Sequence, residues 1–221
     1  MPDLPSFATL AATPEPPLDA LALGLAAEFR DVDAAAALAA LDTLAAALRA
    51  ATAATDGAPA AQARACAHVL GDTHGFTGDT ERYDDPRNSM LDLVLERRRG
   101  LPILLSVVYV EVGRRAGVPL AGIGLPGHFV VGHTGAAPPL LLDPFAGGGP
   151  VERDFPERLV RPWDAREIAM RMLNNLVGAY SRRGNLAAAI RAAEMRLALP
   201  AEEPLHSAVR TELRGLKAQL N

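Results

Sequence analysis

One cysteine, Cys66, stands in a chain of 221 residues. A lone thiol excludes an intramolecular disulfide and any multi-cysteine zinc or iron–sulfur site. It is consistent with a reducing compartment. Basic charge is not in excess either: 22 Lys plus Arg face 26 Asp plus Glu, a formal net charge of −4. The pI near 5.7 argues against a sequence-independent nucleic-acid binder, which carries a basic face. Long hydrophobic runs are missing. No stretch approaches about 20 uninterrupted apolar residues, so nothing is expected to span a membrane. The opening MPDLPSFATLAATPEPP lacks the positive n-region and long apolar core of a signal peptide. A cytoplasmic protein is the expectation. With 49% hydrophobic and 22% charged residues, the chain has the proportions of a globular protein with a sizeable core.

Residues 1–17 hold five prolines and read as an extended arm or loose edge. Asp19 is placed to cap a helix from Ala20 to about Arg30. The alanine-rich stretch 34–56 carries Leu38, Leu41, Leu44 and Leu48 on one helical face, and alanine is the strongest helix former. Pro59 precedes a further helix over about Ala60–Leu70. Asn88 or Ser89 can cap a helix running to Arg99, with Gly100 ending it. The run Ile103–Val110 is rich in β-formers. Its length, Pro102 at the first turn, and Arg114, Arg115 and Gly117 at the end instead predict a buried helix. From Val118 the period changes to that of strands: Pro119–Gly124, His128–His133 and Leu140–Asp143, the last two joined as a hairpin. Past Pro162 three helices are predicted over Ala165–Tyr180, Leu186–Leu199 and Leu205–Leu220. The fold class is therefore α+β. Its regions are an N-terminal helical part (1–80), a core (81–160) and a helical tail (161–221), packed as one body.

The chemistry-bearing residues are few. The glycines of AGGGP (146–150) lack phosphate-loop spacing and no Lys follows them, so no nucleotide cofactor is expected. His128 and His133 lie five apart on one strand and point to opposite faces, and no His-rich carboxylate motif surrounds His68 and His74. No metal is expected. Cys66 lies among alanines on a helix, the setting of an inert core thiol. One arginine of Glu96–Arg99 can be buried against a carboxylate rather than solvated. The most informative pair is His128 and Asp143, at one end of two adjacent strands. A carboxylate accepting Nδ1–H would orient the imidazole and leave Nε2 free to take a proton, two-thirds of a nucleophilic triad. The same pair can simply tie the hairpin, and the spacing alone favours that simpler role.

Several stretches carry a resemblance: DDPRNSMLDLVLERRRGLPILLSVVYVEVGRRAGVPLAGIGLPGHFVVGH, LLLDPFAGGGPV and RMLNNLVGAYSRRGNLAAAIRAAEMRLAL. Together they resemble the bacterial SirB-type branch of the transglutaminase-like superfamily, with its tetratricopeptide-like tail. The resemblance implies a papain/transglutaminase-like core: a central helix with the nucleophile position at its start, then a small antiparallel sheet carrying His and Asp. His128 and Asp143 occupy the catalytic His and Asp positions. Active members have Gly-x-Cys at the start of the central helix; here that place reads Gly100-Leu101-Pro102. Proline has no nucleophilic atom and no N–H.

Three hypotheses follow. The first is a non-catalytic pseudoenzyme that binds a protein partner through its cleft or its C-terminal helices, with a regulatory role. The second is a hydrolase or acyl transferase in which His128–Asp143 activates Ser106, Cys66 or a water. The third is a scaffold in which the pair is a clamp. The first leads, because Pro102 fills the nucleophile position.

Overall fold

The computed structural model describes residues 4–153 and 155–220. Helix dominates. An N-terminal group comprises α1 (Phe7–Ala12), α2 (Leu18–Ala27), α3 (Ala34–Ala53) and α4 (Pro59–Cys66), the last continuing as a π-helical turn over Ala67–Thr73. A two-stranded parallel ribbon joins β1 (Thr77–Gly78) to β2 (Arg99–Gly100), and α5 (Leu91–Arg97) lies between them in sequence. The central α6 (Pro102–Ala116) precedes the antiparallel strands β3 (Leu120–Leu125), β4 (His128–His133), β5 (Leu140–Asp143) and β6 (Gly149–Pro150), which neighbour one another in that order. The tail is α7 (Ala165–Arg182), α8 (Leu186–Met195) and α9 (Glu203–Ala218).

Pro102 opens α6 and Gly117 closes it at φ 80°, a conformation glycine adopts without a Cβ clash. Every residue from Pro102 to Tyr109 is buried. Over this stretch the helix has no solvent face, and its neighbours are α3, α5, and the sheet through β3 and β4; Arg114 in its last turn is exposed. Within the sheet, Phe129 and Val131 join the main core while Val130 joins a second cluster with Ile123 and Leu125 under residues 151–160. Strand alternation therefore puts His128 on the Val130 face, away from Phe129 and Val131.

Several local expectations give way to tertiary contacts. The proline-rich start is not an extended arm throughout. Ser6 accepts from the Thr9 N–H at 3.2 Å and opens α1, whose Phe7, Leu10 and Ala11 are buried; residues 1–3 lie outside the described residues. Asp19 does not cap α2. The helix starts at Leu18 after Pro17, and the buried Asp19 carboxylate pairs with Arg115 of α6. Asn88 and Ser89 do not cap α5. They lie in a 3-10 turn over Pro86–Ser89 capped by Asp85, and Met90 occupies the helix-cap position. Arg98, at φ 56°, ends α5 in place of Gly100, which is committed to pairing with Gly78. The AGGGP segment does not merely end the sheet: Gly149 pairs with Asp143 in a fourth strand.

The alanine-rich α3 reaches the length and mean hydropathy of a membrane span by composition, although Asp42, Thr43 and Arg49 interrupt its apolar residues. It packs in the protein instead. Leu41, Leu44 and Leu48 are buried in the core. Asp42 meets Arg115 Nε at 2.9 Å, and Arg49 donates to the Arg115 carbonyl at 2.5 Å.

In the tail, Asp164 and Glu167 form a capping box for α7, and Asn185 caps α8 through the Ala188 N–H. The buried Arg196 donates to Asn174 at 2.8 Å and to Glu212 at 2.7 Å, tying α7 to α9.

Candidate functional site

Register brings His128 and Asp143 together. Val131 lies opposite Leu142, so continuing the ladder sets Asp143 opposite Val130, two residues from His128 and on the same face. The side chains meet: His128 Nε2 is 2.9 Å from Asp143 Oδ2. Both are partly exposed, at 33% and 22% of the side chain. Burial pushes the Asp143 carboxyl upward, but the bond and charge of His128 and the N–H groups of Phe145 and Ala146 outweigh it and hold the group below its ordinary value. An ionised Asp143 can only accept, so the proton of the pair sits on Nε2 and Nδ1 is the nitrogen left over. That reverses the assignment expected from the sequence, which gave Nδ1–H to the carboxylate.

Asp143 has a second task. Its Oδ1 accepts from the Phe145 N–H at 2.9 Å, capping the short 3-10 turn over Pro144–Ala146. This turn is pinned from the other side by Thr77 Oγ1, which donates to the Phe145 carbonyl at 3.1 Å. The Phe145 ring lies on Gly78, where any Cβ would overlap it. The same ring meets His128 edge-on at 6.5 Å between centroids and Tyr83 at 6.0 Å.

None of the three nucleophile positions named from the sequence hydrogen-bonds to His128 among the described residues. Pro102 is buried at the first turn of α6. Ser106 is fully buried and donates to the Pro102 carbonyl at 2.8 Å, which occupies its hydroxyl proton. Cys66 is fully buried on α4, and burial pushes its thiol up to about 12. Such a group carries almost no thiolate at neutral pH. Among the described residues, Asp143 is the hydrogen-bonding partner of His128.

Beyond Phe145 a polar groove of about 600 Å³ opens along β1, lined by Thr77–Arg82, Arg97 and Arg99. Its floor rests on a buried network in which Arg97 is the arginine of Glu96–Arg99 held against a carboxylate, joined by Asn88, whose part the sequence reading did not name. Asn88 donates to the Arg82 carbonyl at 2.7 Å and accepts from Arg97 at 3.0 Å, while Arg97 also holds Asp79 at 2.9 Å. Burial raises the Asp79 carboxyl, and the Arg82 N–H, Asn88 and Arg97 more than reverse this. Nearby, Arg87 bonds hold Asp85 down to about 2. His133 lies apart from His128, fully buried, with Nε2 2.8 Å from Gln62 Oε1 and Nδ1 accepting from the Gly135 N–H at 3.2 Å. Among the described residues, no three His, Cys, Asp or Glu side chains come together as a metal site.

Comparison with known proteins places this geometry. A UPF0162 protein of Xylella fastidiosa is 36% identical, over 59% of this chain and 53% of that protein. A UPF0162 protein of Vibrio cholerae is 31% identical, over 59% of this chain and 54% of that protein. F-box only protein 21 of Mus musculus is 37% identical over 35% of this chain and 12% of its own length. The chain spans about half the length of the UPF0162 proteins it matches. No solved structure matches it. Residues 35–174, from the start of α3 to the middle of α7, match the Transglutaminase-like superfamily. That span contains α6, the strand pair and the His128–Asp143 bond, and the chain belongs to the transglutaminase-like superfamily.

Proposed function

We propose that this protein is a non-catalytic, SirB-type member of its superfamily that binds a protein partner through the cleft around Phe145, with the tetratricopeptide-like tail as a second contact surface. The observation that carries the reading is the nucleophile position. Pro102 stands there, Ser106 is bonded back into its own helix, and the Cys66 thiol is buried and protonated. Removing the nucleophile from such a constellation leaves little catalysis. What survives is a rigid pocket edge in which Asp143 organises both His128 and the Phe145 turn, which suits recognition and a regulatory role. The match of a short stretch of this chain to 12% of a longer mammalian protein supports a module that can be embedded in longer chains.

One observation favours a second reading. Nδ1 of the half-exposed His128 is unengaged among the described residues, so it could take a proton from a water that attacks an acyl group, with no side-chain nucleophile. A single comparison separates the two. Wild type and His128→Ala are incubated with γ-glutamyl and peptidyl p-nitroanilides and with an amine donor plus a glutamine peptide. No turnover in either protein is the expected result. Turnover abolished by His128→Ala would replace the binding reading with the hydrolytic one. In parallel, a random peptide library displayed on phage should yield sequences that bind wild type and lose binding to Phe145→Ala.

A further inference from the structure

We infer that the groove beside Phe145 is a recognition site for an acidic peptide segment, with Arg82 and Arg99 as charge anchors and Tyr83 and Phe145 as the apolar anchor. This rests on the binding reading above and gives that cleft its ligand chemistry.

The guanidinium groups at the groove differ in whether they are already committed. Arg97 is: it holds Asp79 and Asn88. Arg99 is oriented but not neutralised. Its Nη1 donates to the Gly75 carbonyl at 2.8 Å and the Arg98 carbonyl at 3.1 Å, and no carboxylate pairs with it among the described residues. Backbone carbonyls fix a guanidinium without cancelling its charge, leaving the outer N–H groups for a planar bidentate acceptor. Arg82 is exposed, and its side chain has no bonding partner among the described residues.

Chain geometry delivers this arrangement. The left-handed Arg98 turns the backbone between α5 and β2, so Arg97 points into the floor and Arg99 lines the groove. Opposing charge is scarce. Asp79 is neutralised by Arg97, which leaves Glu81 as the one unpaired carboxylate lining the groove. A locally positive cleft on a chain of net charge −4 selects an acidic partner and steers its approach.

The apolar half is equally specific. Tyr83 is 49% exposed and packs edge-on against Phe145. Exposed tyrosine beside arginine is the composition of binding hot spots. Two uncommitted guanidinium groups match two carboxylates of a short peptide rather than the many phosphates along which a nucleic-acid strand is bound.

The test uses the full chain and a fluorescein-labelled peptide, Ac-EEYEEFEE, read by anisotropy against a lysine-substituted counterpart. Wild type should bind the acidic peptide and not the basic one, with affinity falling as salt rises. Arg82→Ala/Arg99→Ala should weaken binding by roughly ten-fold or more; Tyr83→Ala should weaken it at constant salt dependence; Arg64→Ala, at an exposed position on α4, should bind as wild type. If the double variant melts early, Arg99→Gln alone should still lose affinity, and Arg99→Glu should gain binding to the basic peptide. Equal binding of both peptides, indifference to Arg82 and Arg99, or tighter binding of a single-stranded oligonucleotide overturns the inference. Library peptides that bind in a Phe145-dependent way without acidic residues would refute this site chemistry and leave the binding function standing. Catalytic turnover would refute the function and leave the acidic-peptide site to these variants.

Discussion

Tyr109→Phe should stabilise this protein. Tyr109 is fully buried on the central helix α6, and its hydroxyl lies beneath the Gly148 backbone, 2.5 Å from where a Cβ on that glycine would sit. The hydroxyl has no hydrogen-bonding partner among the described residues. Burial and the nearby Cys66, Asp72 and Asp143 push its pKa further up, so it stays a neutral, unpaired hydroxyl. Burying a hydroxyl with no partner costs about 1–3 kcal/mol. Deleting the oxygen leaves a void of roughly 10 Å³, which at about 24 cal/mol per Å³ returns only some 0.2–0.3 kcal/mol. The balance is a gain of about 0.7–2.8 kcal/mol. For a chain of this length each kcal/mol moves Tm by about 2–4 °C. Urea unfolding at constant m-value and calorimetry should both show the increase. Tyr109→Ala is the control, and should cost about 3–5 kcal/mol through the cavity it leaves. A Phe variant less stable than wild type by more than about 0.5 kcal/mol would refute the reasoning, since only a hydroxyl satisfied by an internal water loses stability on removal.

Three further outcomes are expected. Cys66 should resist iodoacetamide at neutral pH in the folded protein and react once urea unfolds it, because its thiol is buried and held near 12; fast labelling abolished by His128→Ala would contradict the placement of Cys66. His128→Ala should cost about 1 kcal/mol, because the 22%-exposed Asp143 carboxylate keeps the Phe145 N–H and some water; a urea midpoint unchanged within error would show that the pair contributes nothing. Asp79, Asp85 and Asp143 all have folded pKa values below the ordinary one, Asp85 near 2. Their stabilisation is complete above the unfolded carboxylate range and lost as pH falls from about 4 toward 2. Urea midpoints should drop across that window, and Asp85→Asn should flatten the drop; an unaltered slope would exclude Asp85 as a source.

Legibility of the chain followed the range of the forces involved. Strands β4 and β5 could be read because GHTGAAPP marks the turn between them and β-formers flank it, all local information. The helix over Pro102–Ala116 could be read because length and end signals outweighed its β-rich composition. The start of α2 could not, because Asp19 is claimed by Arg115 of α6, 96 residues away. The end of α5 could not, because Gly100 is recruited by a two-residue ribbon with Gly78. Nor could the choice of imidazole nitrogen, which depends on how the strand end presents the His128 ring to Asp143.

Composition and pattern alone determined that this is a globular α+β chain with a single unpaired thiol, a buried central helix and a proline at the start of that helix. Those are properties of residue identity and nearest neighbours along the chain. The tertiary structure decided which polar groups meet: Nε2 of His128 with Asp143, Arg97 with Asp79 and Asn88, and Phe145 with Gly78 between the imidazole and the arginine-lined groove. Such meetings join residues as close as 9 positions in the chain, Arg97 with Asn88, and as far apart as Phe145 and Gly78. Their energy depends on burial and approach across the fold, quantities that local sequence pattern does not contain.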